Sequence, residues 1–117
     1  MLGLDVYNEA LDQIWTNIVD TRMHITGGLG AVHGIEGFGA EYDLPNADAF
    51  NETCAAVGNV FFNFRMFLLH RDAKYLDVAE AALYNNALAG MNFAGDRFFY
   101  VNPLAADGSR PFNHGHA

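Results

Sequence analysis

The sequence predicts a mainly helical fold of about three helices with one short β-strand or hairpin. Two stretches repeat their apolar residues at steps of three and four, which is the spacing of one face of an α-helix. Asp72, which follows the basic pair His70-Arg71, is typical of the residue that caps the start of a further helix. With 117 residues, the chain is long enough for one small domain.

The first helix is predicted over residues 4–19. Its apolar stripe consists of Leu4, Tyr7, Leu11, Ile14 and Ile18. Residues 20–50 then lose the helical period. They contain Pro45 and six glycines, Gly27, Gly28, Gly30, Gly34, Gly37 and Gly39. Irregular segments of this length are uncommon in small domains and are more often functional than mere connectors.

The second helix is predicted from about Cys54 to Leu69, with apolar residues over most of its circumference. One side carries Val57, Phe61, Phe64 and Leu68, and the stripe is widened by Ala55, Phe62, Met66 and Leu69. A helix of this kind is normally buried among other helices. Because two further helices cannot cover so much apolar surface, we expect a homo-oligomer, and a dimer in particular.

The third helix is predicted over residues 73–89, with Gly90 at its end. Its inward face is expected to consist of Tyr75, Val78, Ala79, Ala82, Leu83 and Leu88. Gly95-Asp96 then precedes an aromatic and β-branched run at residues 97–101, which is typical of a short strand.

Composition and charge exclude several classes of partner. Fourteen Asp and Glu against six Lys and Arg give a net charge of −8. Since phosphate neutralisation needs clustered Lys and Arg, we expect no nucleic acid partner and no anionic membrane surface. The N-terminus lacks the basic and apolar regions of a signal peptide. We therefore expect a cytoplasmic protein, although an excised piece of a secreted protein would look the same.

Eight short segments occur in an order and spacing that a known family shares. The first four are Ile25-Thr-Gly-Gly-Leu-Gly30, Glu36-Gly-Phe38, Glu41-Tyr-Asp-Leu-Pro-Asn46 and Asn51-Glu-Thr-Cys-Ala55. The others are Arg65-Met-Phe-Leu-Leu69, Asp72-Ala-Lys-Tyr75, Leu83-Tyr-Asn85 and Gly95-Asp-Arg-Phe-Phe-Tyr-Val-Asn-Pro-Leu104. Each segment alone is weakly specific, but in this order they resemble glycoside hydrolase family 127, whose founding activity is β-L-arabinofuranosidase.

The resemblance implies a catalytic domain built as an (α/α)6 barrel and accompanied by β-sandwich modules. Residues 1–117 would then be a partial barrel, truncated at both ends relative to the family. It also implies a retaining glycosidase whose nucleophile is a cysteine thiolate at a zinc ion, held by one glutamate and three cysteines. A separate glutamate serves as acid/base. By motif, Glu36 matches the acid/base, and Glu52 and Cys54 match two of the zinc ligands.

The sequence departs from the family at the remaining two ligands. In the family these are a Cys-Cys pair after the Asn-Pro-Leu segment, and one of the two is the nucleophile. This sequence has one cysteine, Cys54, which matches a ligand, and it reaches Ala117 without such a pair. We therefore expect zinc and a carbohydrate substrate in the complete family enzyme, and neither zinc retention nor activity in this chain alone.

Each candidate residue also has a simpler structural interpretation. Glu36 would be an exposed loop carboxylate, since glutamate is mostly exposed in proteins. Glu52 would be a carboxylate favoured by a helix N-terminus, and Cys54 a small buried hydrophobe. Joint binding of one zinc requires backbone that is extended or just entering the helix, because side chains two residues apart share a face only there. His33, His114 or His116 could supply nitrogen ligands to such a site.

Three functions stay open on this evidence. The first is a fragment of a family 127 glycosidase that carries the acid/base and half of the zinc site. The second is a non-catalytic helical module for oligomerisation or binding, derived from that family. The third is a minimal enzyme with Cys54 as its nucleophile.

Overall fold

The computed structural model describes residues 2–35, 37–106 and 108. Its elements are, in order, α1 (Leu2–Thr21), α2 (Thr53–His70), α3 (Ala73–Ala82) and a π-helical segment (Leu83–Ala87) that continues α3. The mainly helical class is confirmed. None of these helices combines the length and the hydropathy that a membrane-spanning segment requires.

Side chains from the middle of α1 anchor that helix to the other two. Trp15 Nε1 donates a hydrogen bond of 2.7 Å to Asn63 Oδ1 on α2. The Trp15 ring also meets Tyr75 of α3 edge-on, with 4.8 Å between the ring centroids. One turn before Trp15, Asp12 pairs with His70 at 2.9 Å. The interhelical contacts of α1 therefore concentrate at one aromatic and polar cluster.

The buried face of α2 differs from the predicted one. It consists of Thr53, Ala56, Asn59, Asn63 and Met66. The predicted stripe of Val57, Phe61, Phe64 and Leu68 is exposed instead. Hydrogen bonds of Asn59 and Asn63 explain why this face is the buried one. Asn59 Nδ2 donates to the Gly27 carbonyl at 2.9 Å, and Asn63 Nδ2 donates to the Asn59 carbonyl. The polar side of α2 thus satisfies buried polar groups of this chain, and its apolar side stays uncovered.

The turn between α2 and α3 has a cap on both helices. Arg71 adopts a left-handed conformation with φ 59°, and its N–H donates to the Phe67 carbonyl, which closes α2. The Asp72 side chain accepts a hydrogen bond of 3.0 Å from Lys74 N. Asp72 is therefore the N-cap of α3, as the sequence predicts.

The third helix begins where the sequence predicts, ends two residues before the predicted end, and changes its hydrogen-bond pattern. The α-helical part ends at Ala82, and Leu83–Ala87 forms the π-helical segment. Tyr75 is buried as predicted, whereas Leu88 is exposed. Asn86 lies in the π-helical segment and is buried. The Asn86 carbonyl accepts a hydrogen bond of 3.0 Å from Gly90 N.

The predicted strand at residues 97–101 is not continuous. Phe98 forms an isolated antiparallel bridge with Met91, and Val101 forms a second one with Glu52. The first bridge closes a hairpin-like loop, since Phe99 N donates to the Gly90 carbonyl at 2.7 Å. The run therefore changes its partner between Phe98 and Val101, so no single ladder extends along it.

Gly28 lies where no side chain fits. A Cβ atom there would come within 2.0 Å of both Asn51 Oδ1 and Asn86 Nδ2, which belong to buried side chains. We predict that Gly28→Ala lowers the free energy of unfolding by about 1–3 kcal/mol, because overpacking forces these amides apart. Urea unfolding followed by circular dichroism measures the change.

Gly58→Ala is the matched control for this substitution. Gly58 lies on α2, and apart from its chain neighbours and the adjacent backbone of that helix, no atom of the described residues lies within 4 Å of a Cβ built there. The substitution should raise the free energy of unfolding by about 0.5–1 kcal/mol, because alanine favours a helix interior. Equal stabilities of the two variants would contradict the packing around Gly28.

His24 makes the stability of the fold depend on pH. It is only 2% exposed, and its Nε2 has no hydrogen-bond partner among the described residues. Burial lowers the pKa of His24 from its ordinary value of 6.5. Between the two values the unfolded chain binds the proton more readily, so stability is complete above pH 6.5 and is lost as the pH falls below it.

We predict that His24→Gln flattens this acid-side loss of stability, whatever its effect at neutral pH. Thermal melts on either side of the ordinary histidine pKa measure the slope for wild type and variant. His33→Gln, at an exposed position, should keep the wild-type slope. If the slopes of wild type and His24→Gln agree, His24 does not cause the pH dependence.

Candidate active site

The residues that lead into α2 pair on one side with the glycine-rich segment. Asn51 N donates to the Gly30 carbonyl at 2.6 Å, and Phe50 N donates to the Ala31 carbonyl at 3.3 Å. Asn51 has a φ of 45°, in the left-handed region that asparagine tolerates better than most residues. The backbone before α2 is therefore held in a turn by the segment around Gly30.

On their other side the same residues pair with the segment after the hairpin-like loop. Asn102 N donates to the Asn51 carbonyl at 3.3 Å, and Thr53 N donates to the Tyr100 carbonyl at 2.9 Å. The Thr53 hydroxyl donates to the Phe99 carbonyl at 2.5 Å. Backbone from three distant parts of the sequence thus meets at the N-terminus of α2.

Glu52 and Cys54 come together at this point. Glu52 is the N-cap residue of α2, with an extended backbone of φ −64° and ψ 132°. Its Oε1 lies 2.6 Å from Cys54 Sγ, within hydrogen-bond reach of the thiol. The phenol oxygen of Tyr100 lies 3.9 Å from the same sulfur. The backbone is therefore extended where joint metal binding by the two side chains requires it.

The burial of the two side chains differs. Glu52 is 8% exposed, whereas Cys54 is exposed to solvent. The interpretation of Cys54 as a small buried hydrophobe is therefore wrong in this chain. A thiol at the surface of a helix N-terminus is accessible to a ligand or a reagent.

Glu36 lies outside the described residues, but its surroundings are visible. Val32 and Gly37 form an antiparallel bridge on either side of it. Gly37 and Phe38 line a cleft of about 400 Å³ that Glu52 also lines. The structure therefore places the two residues after Glu36 on the same cleft as Glu52.

This cleft is mainly apolar. Its walls come from α1, from the irregular segment at residues 20–50 and from the first turns of α2. They include Ile14, Ile18, Leu29, Phe38, Phe50, Ala55 and Phe62. Glu52 supplies the carboxylate. The apolar walls give the Glu52 carboxylate a lower local dielectric than water has, and its electrostatic interactions are therefore stronger there.

Of the histidines that could supply further ligands, His33 lies in the described part of the chain and does not join this site. His33 is exposed, and its ring meets Phe50 edge-on with 5.1 Å between centroids. His114 and His116 lie outside the described residues. Across the part of the chain that the structure describes, no three His, Cys, Asp or Glu side chains form a group that could hold a metal ion.

Sequence reasoning missed two features of the site. The first is Tyr100 beside Cys54, which no local pattern announces because 46 residues separate them. The second is the left-handed backbone of Asn51, for which the sequence carries a weak signal. Asparagine in front of a helix start is compatible with positive φ, but it is also one of the preferred ordinary N-cap residues.

Comparison with known proteins identifies the family. The model of the β-L-arabinofuranosidase GH127 catalytic domain matches residues 2–115. The chain belongs to glycoside hydrolase family 127. The catalytic domain of GH127 enzymes is an α/α barrel, in agreement with the fold class implied by the sequence motifs.

Three GH127 relatives show how far the similarity extends. The chain is 38% identical over 104 residues to a non-reducing end β-L-arabinofuranosidase of Bifidobacterium longum subsp. longum, with 89% of this chain covered. A solved GH127 β-arabinofuranosidase is 51% identical over 95% of the chain, with a TM-score of 0.89. A GH127 β-L-arabinofuranosidase from Geobacillus stearothermophilus T6 is 49% identical over 77% of the chain, with a TM-score of 0.75.

The chain spans a small part of these proteins. It covers 16% of the Bifidobacterium enzyme and 18% and 14% of the two solved chains. The likeness therefore describes one segment of a GH127 catalytic domain.

The donor set at the start of α2 fits a zinc ion in part. A thiolate and a carboxylate are both zinc ligands in proteins, and Glu52 and Cys54 place one of each on the same side of the chain. A tetrahedral site has four positions, so this pair would fill half of it.

Proposed function

We propose that the chain is part of a retaining glycoside hydrolase that acts on β-L-arabinofuranosides. In this proposal Glu36 is the acid/base, and Glu52 and Cys54 are two ligands of a zinc ion. The approach of Glu52 Oε1 and Cys54 Sγ to 2.6 Å carries the proposal, since it joins the two residues that match the metal ligands by motif.

Each residue has one task in this reaction. Glu52 and Cys54 hold the metal, which when bound keeps coordinating thiols deprotonated at neutral pH. Glu36 first donates a proton to the leaving-group oxygen and then accepts one from water. Its neighbours Gly37 and Phe38 line the Glu52 cleft, which supports placing the proton donor near the metal ligands.

The chain by itself lacks a thiol for the nucleophile. Its one cysteine, Cys54, is assigned to the metal, so the nucleophilic thiolate and the fourth ligand have to come from further polypeptide. We therefore propose that this chain alone neither hydrolyses glycosides nor retains zinc.

A chimera tests the assignment. Residues 2–106 replace the matching segment of the Bifidobacterium relative, and hydrolysis of an aryl β-L-arabinofuranoside is measured with zinc and a reductant. The chimera should be active, and Glu36→Gln should lower its kcat by about 10²–10⁴, the usual contribution of general acid–base catalysis. Glu52→Gln and Cys54→Ser should lower the zinc content measured by atomic absorption.

Glu80→Gln, at an exposed position of α3, is the matched control and should leave both activity and zinc content unchanged. The isolated chain should show no turnover. Hydrolysis by the isolated chain that survives repurification would contradict the assignment, because a nucleophile would then exist among its 117 residues, with Cys54 as the candidate.

One observation favours a second role, in self-association. The apolar stripe of α2 is exposed along its length, from Val57 to Leu68, and Phe61 is 65% exposed. Exposed apolar surface of this extent is typical of an interface. We propose that the isolated chain forms a homodimer through this stripe.

Light scattering after size-exclusion chromatography tests the dimer. At micromolar concentration the wild type should have twice the chain mass of 12.8 kDa, and Phe61→Glu should have the mass of one chain, because a buried carboxylate opposes the contact. Tyr7→Glu changes a residue of α1 that is 70% exposed, and should leave the dimer intact. A monomeric wild type would refute the proposal.

A further inference from the structure

We propose that the side-chain amides of Asn51 and Asn102 are positioning groups that keep Glu52 Oε1 and Cys54 Sγ together. The inference rests on the proposed function for the importance of Glu52 and Cys54. It concerns the geometry of this chain, and it can be measured without metal or substrate.

Asn51 supplies the bend in the backbone immediately before Glu52. The residue is completely buried, and its φ of 45° is a conformation in which most side chains are strained. Such a conformation persists only when neighbouring groups hold it. The hydrogen bond of 2.6 Å from Asn51 N to the Gly30 carbonyl fixes one side of the bend.

Asn102 fixes the other side of the bend through two hydrogen bonds. Asn51 Nδ2 donates to the Asn102 carbonyl at 2.7 Å, and Asn102 N donates back to the Asn51 carbonyl at 3.3 Å. The first of these bonds needs the Asn51 side chain as a donor. The side chain thereby ties its own left-handed backbone to a segment 51 residues away.

The Asn102 side chain is anchored in turn to the end of α3. Its Nδ2 donates to the Asn86 carbonyl at 3.1 Å and lies 3.4 Å from Asn86 Oδ1. Asn86 belongs to the π-helical segment and is buried. A π-helical turn inside a helix is often associated with a functional site, and here it turns the Asn86 peptide toward Asn102.

The bend sets the directions of the side chains that follow it. With Asn51 held on both sides, Glu52 pairs with Val101 and Thr53 turns its hydroxyl inward to the Phe99 carbonyl. Glu52 and Cys54, on either side of Thr53, then approach each other. Loss of an amide should let the backbone at residue 52 relax and separate the carboxylate from the sulfur.

Alkylation of Cys54 reports this separation. Because Cys54 is the one cysteine of the chain, the rate of reaction with iodoacetate, followed by mass spectrometry, refers to a single sulfur. The Glu52 carboxylate, 2.6 Å from the sulfur, repels the iodoacetate anion as it approaches. With a chelator present at fixed neutral pH, Glu52→Gln should therefore speed alkylation by roughly three- to tenfold.

The positioning role predicts that this effect depends on the asparagines. Glycine tolerates positive φ, so Asn51→Gly removes only the side-chain amide. In this variant, Glu52→Gln should change the rate of Cys54 alkylation by less than about twofold. Asn102→Ala should give the same result and serves as the second background if the first variant fails to fold, as judged by circular dichroism. A group that only stabilised the fold would not alter the coupling between Glu52 and Cys54 in folded protein.

Asn8→Ala on α1 is the matched control and should keep the full effect of Glu52→Gln. The inference is overturned if Glu52→Gln speeds alkylation equally in wild type, Asn51→Gly and Asn102→Ala. It is also overturned if Glu52→Gln has no effect in the wild type. Either result leaves the proposed glycosidase function untouched, whereas an inactive chimera would refute that function and leave the coupling standing.

Discussion

The backbone of residues 50–53 is the constraint on which the rest of this structure depends. Asn51, Glu52 and Thr53 are all buried, so their N–H and C=O groups need partners inside the chain. The segment around Gly30 supplies partners on one side, and the segment from Phe99 to Asn102 supplies them on the other. These bonds bring the segment around Gly30, the start of α2 and the residues from Phe99 to Asn102 together.

The polar character of the interior follows from this constraint. Asn59 and Asn86 are buried, and each donates a hydrogen bond to the irregular segment, Asn59 to Gly27 and Asn86 to Thr26. Buried amides of this kind are favourable only when they are hydrogen-bonded, so they fix one arrangement of the loop against the helices. The apolar side chains of α2 are left to face outward, where they suit contact with further protein surface.

Local sequence signals predicted the elements that depend on local forces. The period of apolar residues found α1 and α2, and Asp72 marked the start of α3 because an N-cap is decided within one turn. The face that α2 buries was not predictable, because it depends on hydrogen bonds to Gly27 and Trp15, which lie far away in sequence. Of the candidate site, the motif singled out Glu52 and Cys54, whose role as zinc ligands stays a prediction, whereas the placement of Tyr100 depends on pairing across 46 residues.

The electrostatics of Glu52 connect the fold to the proposed metal. A carboxylate in a mainly apolar cleft loses hydration, and the dipole of α2 offsets part of that loss at the helix N-terminus. A divalent cation between Glu52 and Cys54 would offset more, since it attracts the carboxylate and the thiolate together. Metal binding would then stabilise the bend at Asn51, and loosening of the bend would weaken metal binding by the same free energy. The side-chain amides of Asn51 and Asn102 and a bound metal would therefore stabilise the same backbone conformation at Glu52.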